Sequence, residues 1–289
     1  MVQDSRIVTE AELRQIVRLD LGLVDLIEAS LAADALGDTR QPAGRPMPFA
    51  QPQGTGGAVF SDSGFLAELR AAATGAVAAR HLAPEEVTTA GVIGAGGQAG
   101  AQIRAAHLVR PFERVLVYGR NPQEAAACAA DLVSGLGPLG VEVEITTNPE
   151  MLVRRSQLVV TATPAQSPVL KAGWMHRELH ITAAGAGQPC RNEIDPACLA
   201  RADLYVCDRV AQCADAGELR AARAAGLFAA APPELGQIVS GARPGRRSPA
   251  EITLCELSGT GVQDSGAQDK AVIAHVTRLL AEAGMTGRG

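Results

Sequence analysis

The residues with the clearest chemical capacity in this chain are glycines. Residues 89–106 read TAGVIGAGGQAGAQIRAA, so a short apolar run is followed at once by GAGGQA at residues 94–99 and then by an alanine-rich run. This order predicts a strand, a tight turn and a helix. Gly94 permits the turn, Gly96 has no side chain to hold a pyrophosphate away from the backbone, and the small Ala99 lets the helix lie close to the strand. Because a helix N-terminus offers free N–H groups and a positive dipole end, the stretch predicts a site for a diphosphate-bridged dinucleotide.

The next predicted strand, Arg114–Tyr118, arrives where a βαβ unit requires it, and the residues after it bear on the choice of dinucleotide. Sites that prefer NAD place Asp or Glu at this strand end, whereas this chain has Arg120 and Asn121. A guanidinium pairs with a 2′-phosphate that a carboxylate would repel. We therefore expect NADP(H) to be favoured, with NAD(H) possible. The alternative is that Arg120 is an ordinary solvated surface residue.

Two further short turns follow predicted strands, TATP at residues 161–164 and AGAG at residues 184–187. Ligands of open α/β sheets bind beyond the carboxyl ends of the strands, and small residues there allow close approach of a nicotinamide ribose. Each turn taken separately is equally consistent with a simple tight connection.

Composition bounds the class of protein and its partners. The chain has 289 residues, 47% hydrophobic and 20% charged, with a net charge of −5 and no long basic run, so we expect a globular protein that binds neither nucleic acid nor an anionic membrane. The first residues lack an apolar segment of signal-peptide length. The six cysteines form no C-x-x-C pair, and no histidine stands at zinc-ligand spacing, so we expect free thiols in a reducing cytoplasm and no metal site.

The elements that must position these turns alternate between helix and strand. Residues 10–34 predict two short amphipathic helices capped by Thr9 and Asp20, residues 37–57 are a Pro/Gly-rich loop, and residues 65–81 predict a helix. Beyond the first βαβ unit we expect the strands and helices Pro122–Val133, Val141–Ile145, Pro149–Ser156, Leu158–Thr161, Leu179–Ala184, Leu204–Cys207, Glu251–Glu256 and Asp264–Ala283.

This alternation predicts an α/β fold with a Rossmann-type, doubly wound parallel sheet. We place the dinucleotide-binding domain at residues 82–258. Residues 1–81 together with 259–289 would form a smaller second lobe for substrate binding and oligomerisation.

Five motifs in register carry a family resemblance. They are LRAAATGAVAARHLAP, GVIGAGGQA, TATPAQSPVL, HITAAGAGQPCRNEIDP and SGTGVQD. In this order they resemble the ornithine cyclodeaminase and mu-crystallin family, over residues 65 to the C-terminus and more faintly over the first helices. The sequence of residues 202–211 is most similar to the branch of this family associated with ectoine use and imine reduction. The resemblance implies a two-lobed, usually dimeric protein that binds NAD(P) and acts on small amino or imino acids.

The resemblance also assigns residues to roles. Arg70, in the L-R-x-A-A motif, corresponds to the arginine that grips the substrate carboxylate, a task that suits a bidentate guanidinium. The alternative is a surface arginine on a helix with a wet side. The residues expected to bind the coenzyme, from the turns and the resemblance together, are Gly94, Ala95, Gly96, Gly97, Gln98, Ala99, Arg120, Asn121, Thr161, Ala162, Thr163, Ala184, Gly185, Gly259, Gly261 and Val262.

Two departures from the family pattern bear on the reaction. Cyclodeaminases place an Asp where this chain has Gly187, followed by Gln188, which leaves the proton handling of cyclodeamination without its carboxylate. Family members also insert strands with substrate-binding lysines before the Arg70 helix, whereas this chain has only residues 37–57, with Arg40 and Arg45 as possible cations.

Three hypotheses follow. The first is an NADP-dependent imine reductase or amino-acid dehydrogenase, in which Arg70 holds the substrate carboxylate. The second is an ornithine-type cyclodeaminase, against which Gly187 counts. The third is a coenzyme-binding protein without catalysis, which the shortened N-terminal region motivates.

Overall fold

The computed structural model describes residues 6–37, 58–185, 190–258 and 267–283. The strands in these residues are β1 (Arg6–Thr9), β2 (Ala58–Ser61), β3 (Thr89–Ile93), β4 (Arg114–Tyr118), β5 (Glu142–Ile145), β6 (Leu158–Thr161), β7 (His180–Ala183), β8 (Leu204–Cys207) and β9 (Thr253–Glu256). The α-helices in the same residues are α1 (Glu10–Ile16), α2 (Leu21–Ala35), α3 (Phe65–Leu82), α4 (Gly97–Val109), α5 (Pro122–Leu136), α6 (Pro149–Arg155), α7 (Ala197–Arg201), α8 (Val210–Asp215), α9 (Gly217–Ala224), α10 (Leu235–Val239) and α11 (Ala267–Glu282).

Seven of these strands form one parallel sheet, in the order β5-β4-β3-β6-β7-β9-β8. The chain runs outward from β3 through β4 to β5 and then returns to β6 on the other side of β3. The order therefore reverses between β3 and β6, and such a switch point opens a crevice at the carboxyl ends of the two strands. This arrangement confirms the predicted α/β class with a Rossmann-type, doubly wound sheet.

Apolar side chains of neighbouring strand residues point to opposite faces, and both faces are covered. Val92 packs with α4 and α5 on one face, while Ile93 packs with α6 and α7 on the other. Buried parallel strands need apolar residues at consecutive positions because helices cover them on both sides. All five residues of β3 are buried, as this rule requires.

The first and last helices pack together against the sheet. Leu23 and Ile27 of α2 share a core with Val276 of α11, and this core extends to Val206 of β8. Beside them, β1 and β2 pair in parallel as a separate two-stranded sheet. The sequence pattern did not indicate β1, because four residues whose partner strand lies some fifty residues away show no local periodicity. The division into residues 82–258 and a second lobe stays a prediction.

The predicted helix caps at the N-terminus are present. The side chain of Thr9 forms a reciprocal capping box with Glu12, and the Asp20 carboxylate accepts the N–H of Leu23 at 2.9 Å. The predicted cap at Asp264 lies outside the described residues. None of the helices that the structure describes combines the length and the apolar character needed to cross a bilayer.

Candidate functional site

The turn after β3 can be made only by glycine at its first position. Gly94 has φ +115°, in the left-handed region, and its N–H donates to the carbonyl of Tyr118 at 2.8 Å. A Cβ built on Gly94 would come within 3.0 Å of the carbonyl oxygen of Ala162 and 2.9 Å from Cγ2 of Thr163. Gly94 therefore brings the turns after β3 and β6 into direct contact at the switch point.

The next two glycines leave an open cradle in front of α4. Among the residues that the structure describes, a Cβ at Gly96 or Gly97 would meet nothing within 4 Å, and none of their side chains caps the helix that begins at Gly97. The Oε1 atom of Gln98 is buried there and accepts no hydrogen bond within the part of the chain that the structure describes. An uncapped helix N-terminus in open space, beside an unused buried polar atom, fits the diphosphate of a dinucleotide.

The turns after β6 and β7 continue this row. A Cβ on Gly185 would come within 3.0 Å of the carbonyl oxygen of Thr163, so Gly185 also has no room for a side chain. The structure thus brings together three of the turns that the sequence analysis selected, those at Gly94, Thr163 and Gly185. A buried carboxylate, Glu193, bonds to both the second and the third turn. Glu193 is not predicted from the sequence, because a lone glutamate in an irregular segment has no spacing that would indicate a site.

At the end of β4, Arg120 and Asn121 have different surroundings. Arg120 is exposed, with no ion pair to any residue that the structure describes. Asn121 caps α5, since its Oδ1 accepts the N–H groups of Gln123 and Glu124. The side-chain oxygen of Asn121 is therefore already used to cap α5. Arg120 is free to pair with an anion, and the reading of it as a solvated surface residue also stays open.

Arg70 is buried, which excludes the reading of it as a surface residue. It is 5% exposed, and its Nε lies 3.0 Å from Oδ1 of Asp269 on α11. Both atoms lack an aligned hydrogen bond, so the contact is an ion pair without the directional bond. Burial lowers the pKa of Arg70, opposed by the carboxylates of Asp269 and Asp208. A buried guanidinium that donates no hydrogen bond within the described residues is poised for an anionic ligand.

Asp208 lies at the carboxyl edge of the sheet and is near enough to Arg70 for its carboxylate to oppose the lowering of the Arg70 pKa by burial. It follows β8, and its carboxylate accepts the N–H of Ser258, the second residue after β9, at 2.9 Å, and the Ser258 hydroxyl at 2.8 Å. β9 is the neighbour of β7, whose turn holds Gly185. Arg70 and the glycine turns therefore lie at the same edge of the sheet.

Asp208 also contributes to the wall of a polar cleft. An ion pair between Arg209 and Asp34 crosses it, so its single arginine already has a carboxylate partner. Arg209 is therefore a weaker candidate than Arg70 for binding the carboxylate of a small acid. The residues that line it are Leu31, Asp34, Ala35, Asp208, Arg209, Glu234, Gly236 and Gln237.

The fold also collects possible metal ligands that the sequence spacing did not suggest. Ligand atoms of Cys207, Cys213 and Glu256 lie within 4.8 Å of one another in the core. The Glu256 oxygens already accept hydrogen bonds from two backbone N–H groups and the Tyr205 hydroxyl. A hydrogen bond with Cys207 and burial both raise the pKa of Cys213. These contacts favour a protonated Cys213 thiol over metal ligation.

Several predicted site residues lie outside the described residues. They are Arg40, Arg45, Gly187, Gln188, Gly259, Gly261 and Val262.

The buried carboxyl groups near this edge predict a pH dependence of stability. Burial raises the pKa of Glu218 to about 8 and that of Glu256 to about 7, from an ordinary value of 4.5. A group with a raised pKa in the folded state stabilises most at low pH and loses that contribution as pH rises through the folded pKa. Burial lowers the pKa of His180 to about 3, which works in the opposite sense, but only below about pH 6.5.

We therefore expect the free energy of unfolding to fall by about 2 kcal/mol between pH 6.5 and 8.5. Urea unfolding across this range measures it, and the decline should shrink in Glu218→Gln. A stability that is flat or rises over these pH values would contradict the assignment.

Comparison with known proteins identifies the family to which the chain belongs. Residues 50–274 match the model of the ornithine cyclodeaminase/mu-crystallin family. The chain is 42% identical over 231 residues to a protein of Rhizobium meliloti, covering 79% of this chain and 68% of that protein. It is 38% identical over 221 residues to the iminosuccinate reductase of Paracoccus denitrificans, covering 76% of this chain and 65% of that protein, which is less than two thirds of its length.

Solved structures agree over nearly the full length. The iminosuccinate reductase of Paracoccus denitrificans in complex with NAD+ superposes with a TM-score of 0.82 and 26% identity, covering 97% of this chain and 98% of that one. An archaeal alanine dehydrogenase dimer with bound NAD gives a TM-score of 0.85 at 24% identity and covers 98% of both chains.

Proposed function

Because this chain belongs to the ornithine cyclodeaminase/mu-crystallin family, we propose that it is an NAD(P)H-dependent oxidoreductase that reduces a small 2-imino acid or oxidises the corresponding amino acid. The observation that carries the proposal is the buried Arg70, which donates no hydrogen bond to any residue that the structure describes, near the sheet edge that also carries the glycine turns. The iminosuccinate reductase supports the choice of reaction.

The residues of this chain divide the binding task between them. The N-terminus of α4, with Gly96 and Gly97, would hold the diphosphate, and the turns at Thr163 and Gly185 would bound the nicotinamide half. A nicotinamide coenzyme, when bound, supplies or accepts a hydride.

Arg70 would hold the substrate carboxylate through its two terminal nitrogens, because Nε already faces Asp269. Fixing the carboxylate orients the neighbouring C=N carbon, and orientation is a large part of catalysis for a reaction between two bound partners. A protonated imine already carries its nitrogen-bound proton, so reduction needs no carboxylate at Gly187, whereas cyclodeamination does.

The direct test is oxidation of NADPH or NADH by the purified protein in the presence of a small 2-oxo acid and ammonia or methylamine. We expect turnover that depends on both the acid and the amine. Formation of proline from ornithine with catalytic coenzyme would instead establish the cyclodeaminase. Coenzyme binding without turnover of any such acid would support the non-catalytic alternative and end the proposal.

We propose NADPH as the favoured coenzyme, on the strength of the exposed Arg120 at the end of β4, which forms no ion pair with the residues that the structure describes. The variant Arg120→Ser should raise the Kd for NADPH about 10-fold or more, since a hydrogen bond to a charged group contributes ~1.5–3 kcal/mol. Fluorescence titration with both coenzymes measures this. NADH is the control, and its Kd should change less than 2-fold. A wild-type protein that binds NADH more tightly would refute the preference.

We also propose a cytoplasmic homodimer. The alanine dehydrogenase that shares this fold is a dimer, and all six cysteines are free thiols, which fits a reducing compartment. Light scattering of the purified protein tests the oligomeric state.

A further inference from the structure

Glu193 lies beneath the two turns that follow β6 and β7, although it belongs to neither. Its Oε2 accepts hydrogen bonds from the Thr161 hydroxyl at 3.0 Å and the Gly185 N–H at 2.7 Å, while Oε1 accepts the Thr163 N–H at 2.6 Å. Glu193 is fully buried. One carboxylate therefore uses both of its oxygens to tie together two separate turns.

The backbone at Glu193 is hydrogen-bonded to a further buried acidic side chain, which is anchored in the same way by another. The carboxylate of Glu218 accepts the N–H groups of Glu193 and Ile194, at 2.8 and 3.1 Å. The carboxylate of Glu256 in turn accepts the N–H groups of Glu218 and Leu219, at 2.9 and 3.0 Å. Glu256 thus fixes the backbone that carries Glu218, and Glu218 fixes the backbone that carries Glu193. The backbone at Glu193 is consequently held through α9 and β9, independently of the turns that its side chain contacts.

Burying the Glu193 carboxylate costs more free energy than anchoring a loop would require. Burial raises the pKa of Glu193, opposed by its hydrogen bonds to Thr163, Thr161 and Gly185. A buried carboxylate is tolerated only where donors satisfy it, and the donors to Glu193 in the part of the chain that the structure describes all come from turns of the candidate coenzyme site. The same two turns touch each other at Thr163 and Gly185, and the first touches Gly94. A change in their spacing would move all three.

We propose that Glu193 is a positioning residue for the coenzyme: its carboxylate sets the separation of the Thr163 and Gly185 backbones against which the nicotinamide half lies. This role rests on the proposed function. The Thr161 hydroxyl, which donates to Glu193, belongs to the same hydrogen-bond network.

The variant Glu193→Gln tests the role with almost no change of shape. A glutamine offers one carbonyl oxygen and turns an NH₂ group toward at least one backbone N–H, so one turn must move. We expect the Kd for NAD(P)H to rise about 10-fold and kcat to fall, while the KM for the imino acid, held by Arg70, changes less than 2-fold. The control is Glu234→Gln, which removes a carboxylate that accepts the Val210 N–H, outside the two turns. It should leave the coenzyme Kd unchanged.

A second variant keeps the proposal testable if Glu193→Gln does not fold. Thr161→Val removes one donor at nearly constant volume, and we expect the coenzyme Kd to rise about 3-fold. Unchanged coenzyme affinity in the folded Glu193→Gln protein, or in Thr161→Val, would overturn the positioning role. A wild-type protein that binds neither coenzyme would instead overturn the proposed function, so the two failures are distinguishable.

Discussion

Replacing Arg70 with lysine is expected to lower kcat/KM for the imino acid about 100-fold, with coenzyme affinity unchanged. The loss corresponds to ~3 kcal/mol, the upper range for one hydrogen bond to a charged group. Lysine keeps the positive charge beside Asp269, so the buried carboxylate retains a partner and the fold is preserved. What lysine cannot supply is the planar pair of donors that matches a carboxylate.

Steady-state kinetics with the imino acid, together with fluorescence titration of the coenzyme, measure the two parts of this expectation. The matched control is Arg80→Lys, on the same helix, where Arg80 pairs with Asp25 and Glu28 at the surface. That variant should keep kcat/KM within 2-fold of the wild type. Equal activity of the Arg70→Lys and Arg80→Lys proteins would remove Arg70 from the substrate site.

The glycine turn gives the second large effect, and its glycines should behave differently from one another. Gly94→Ala must place a side chain at φ +115° and within 3.0 Å of the Ala162 carbonyl oxygen. Backbone strain and steric overlap each cost ~1–3 kcal/mol, so we expect a loss of about 3 kcal/mol in stability, together with loss of coenzyme binding. The new methyl group of Gly96→Ala meets no atom of the described part of the chain within 4 Å, and Gly96 has an ordinary φ of −77°. Its free energy of unfolding should stay within about 0.5 kcal/mol of the wild type. Its Kd for the coenzyme should nevertheless rise about 10-fold or more.

A third alanine variant separates strain from overlap. Gly140 has φ +86° and nothing within 4 Å of a built Cβ, so Gly140→Ala reports the conformational cost alone, about 1 kcal/mol. Urea unfolding and coenzyme titration of the three variants give the comparison. If Gly96→Ala binds NAD(P)H as tightly as the wild type, the open space in front of α4 does not hold the diphosphate.

Local patterns in the sequence were sufficient for the fold class and for the glycine turn. The turn at Gly94, the caps at Thr9 and Asp20 and the alternation of buried strands with amphipathic helices depend on residues within a few positions of one another. The physical rules that connect such patterns to structure act over the same short range. The predicted bounds of the sheet strands lie within two residues of those in the structure.

The electrostatic character of the site was decided by the tertiary structure. The wet side of the helix allowed Arg70 to be a surface residue, and its burial beside Asp269 depends on a helix some two hundred residues further along the chain. Glu193 is one acidic residue among many until β6 and β7 bring Thr161 and Gly185 to it. A carboxylate that is costly to bury is retained only where distant donors converge on it, and convergence of that kind leaves no periodicity in the sequence.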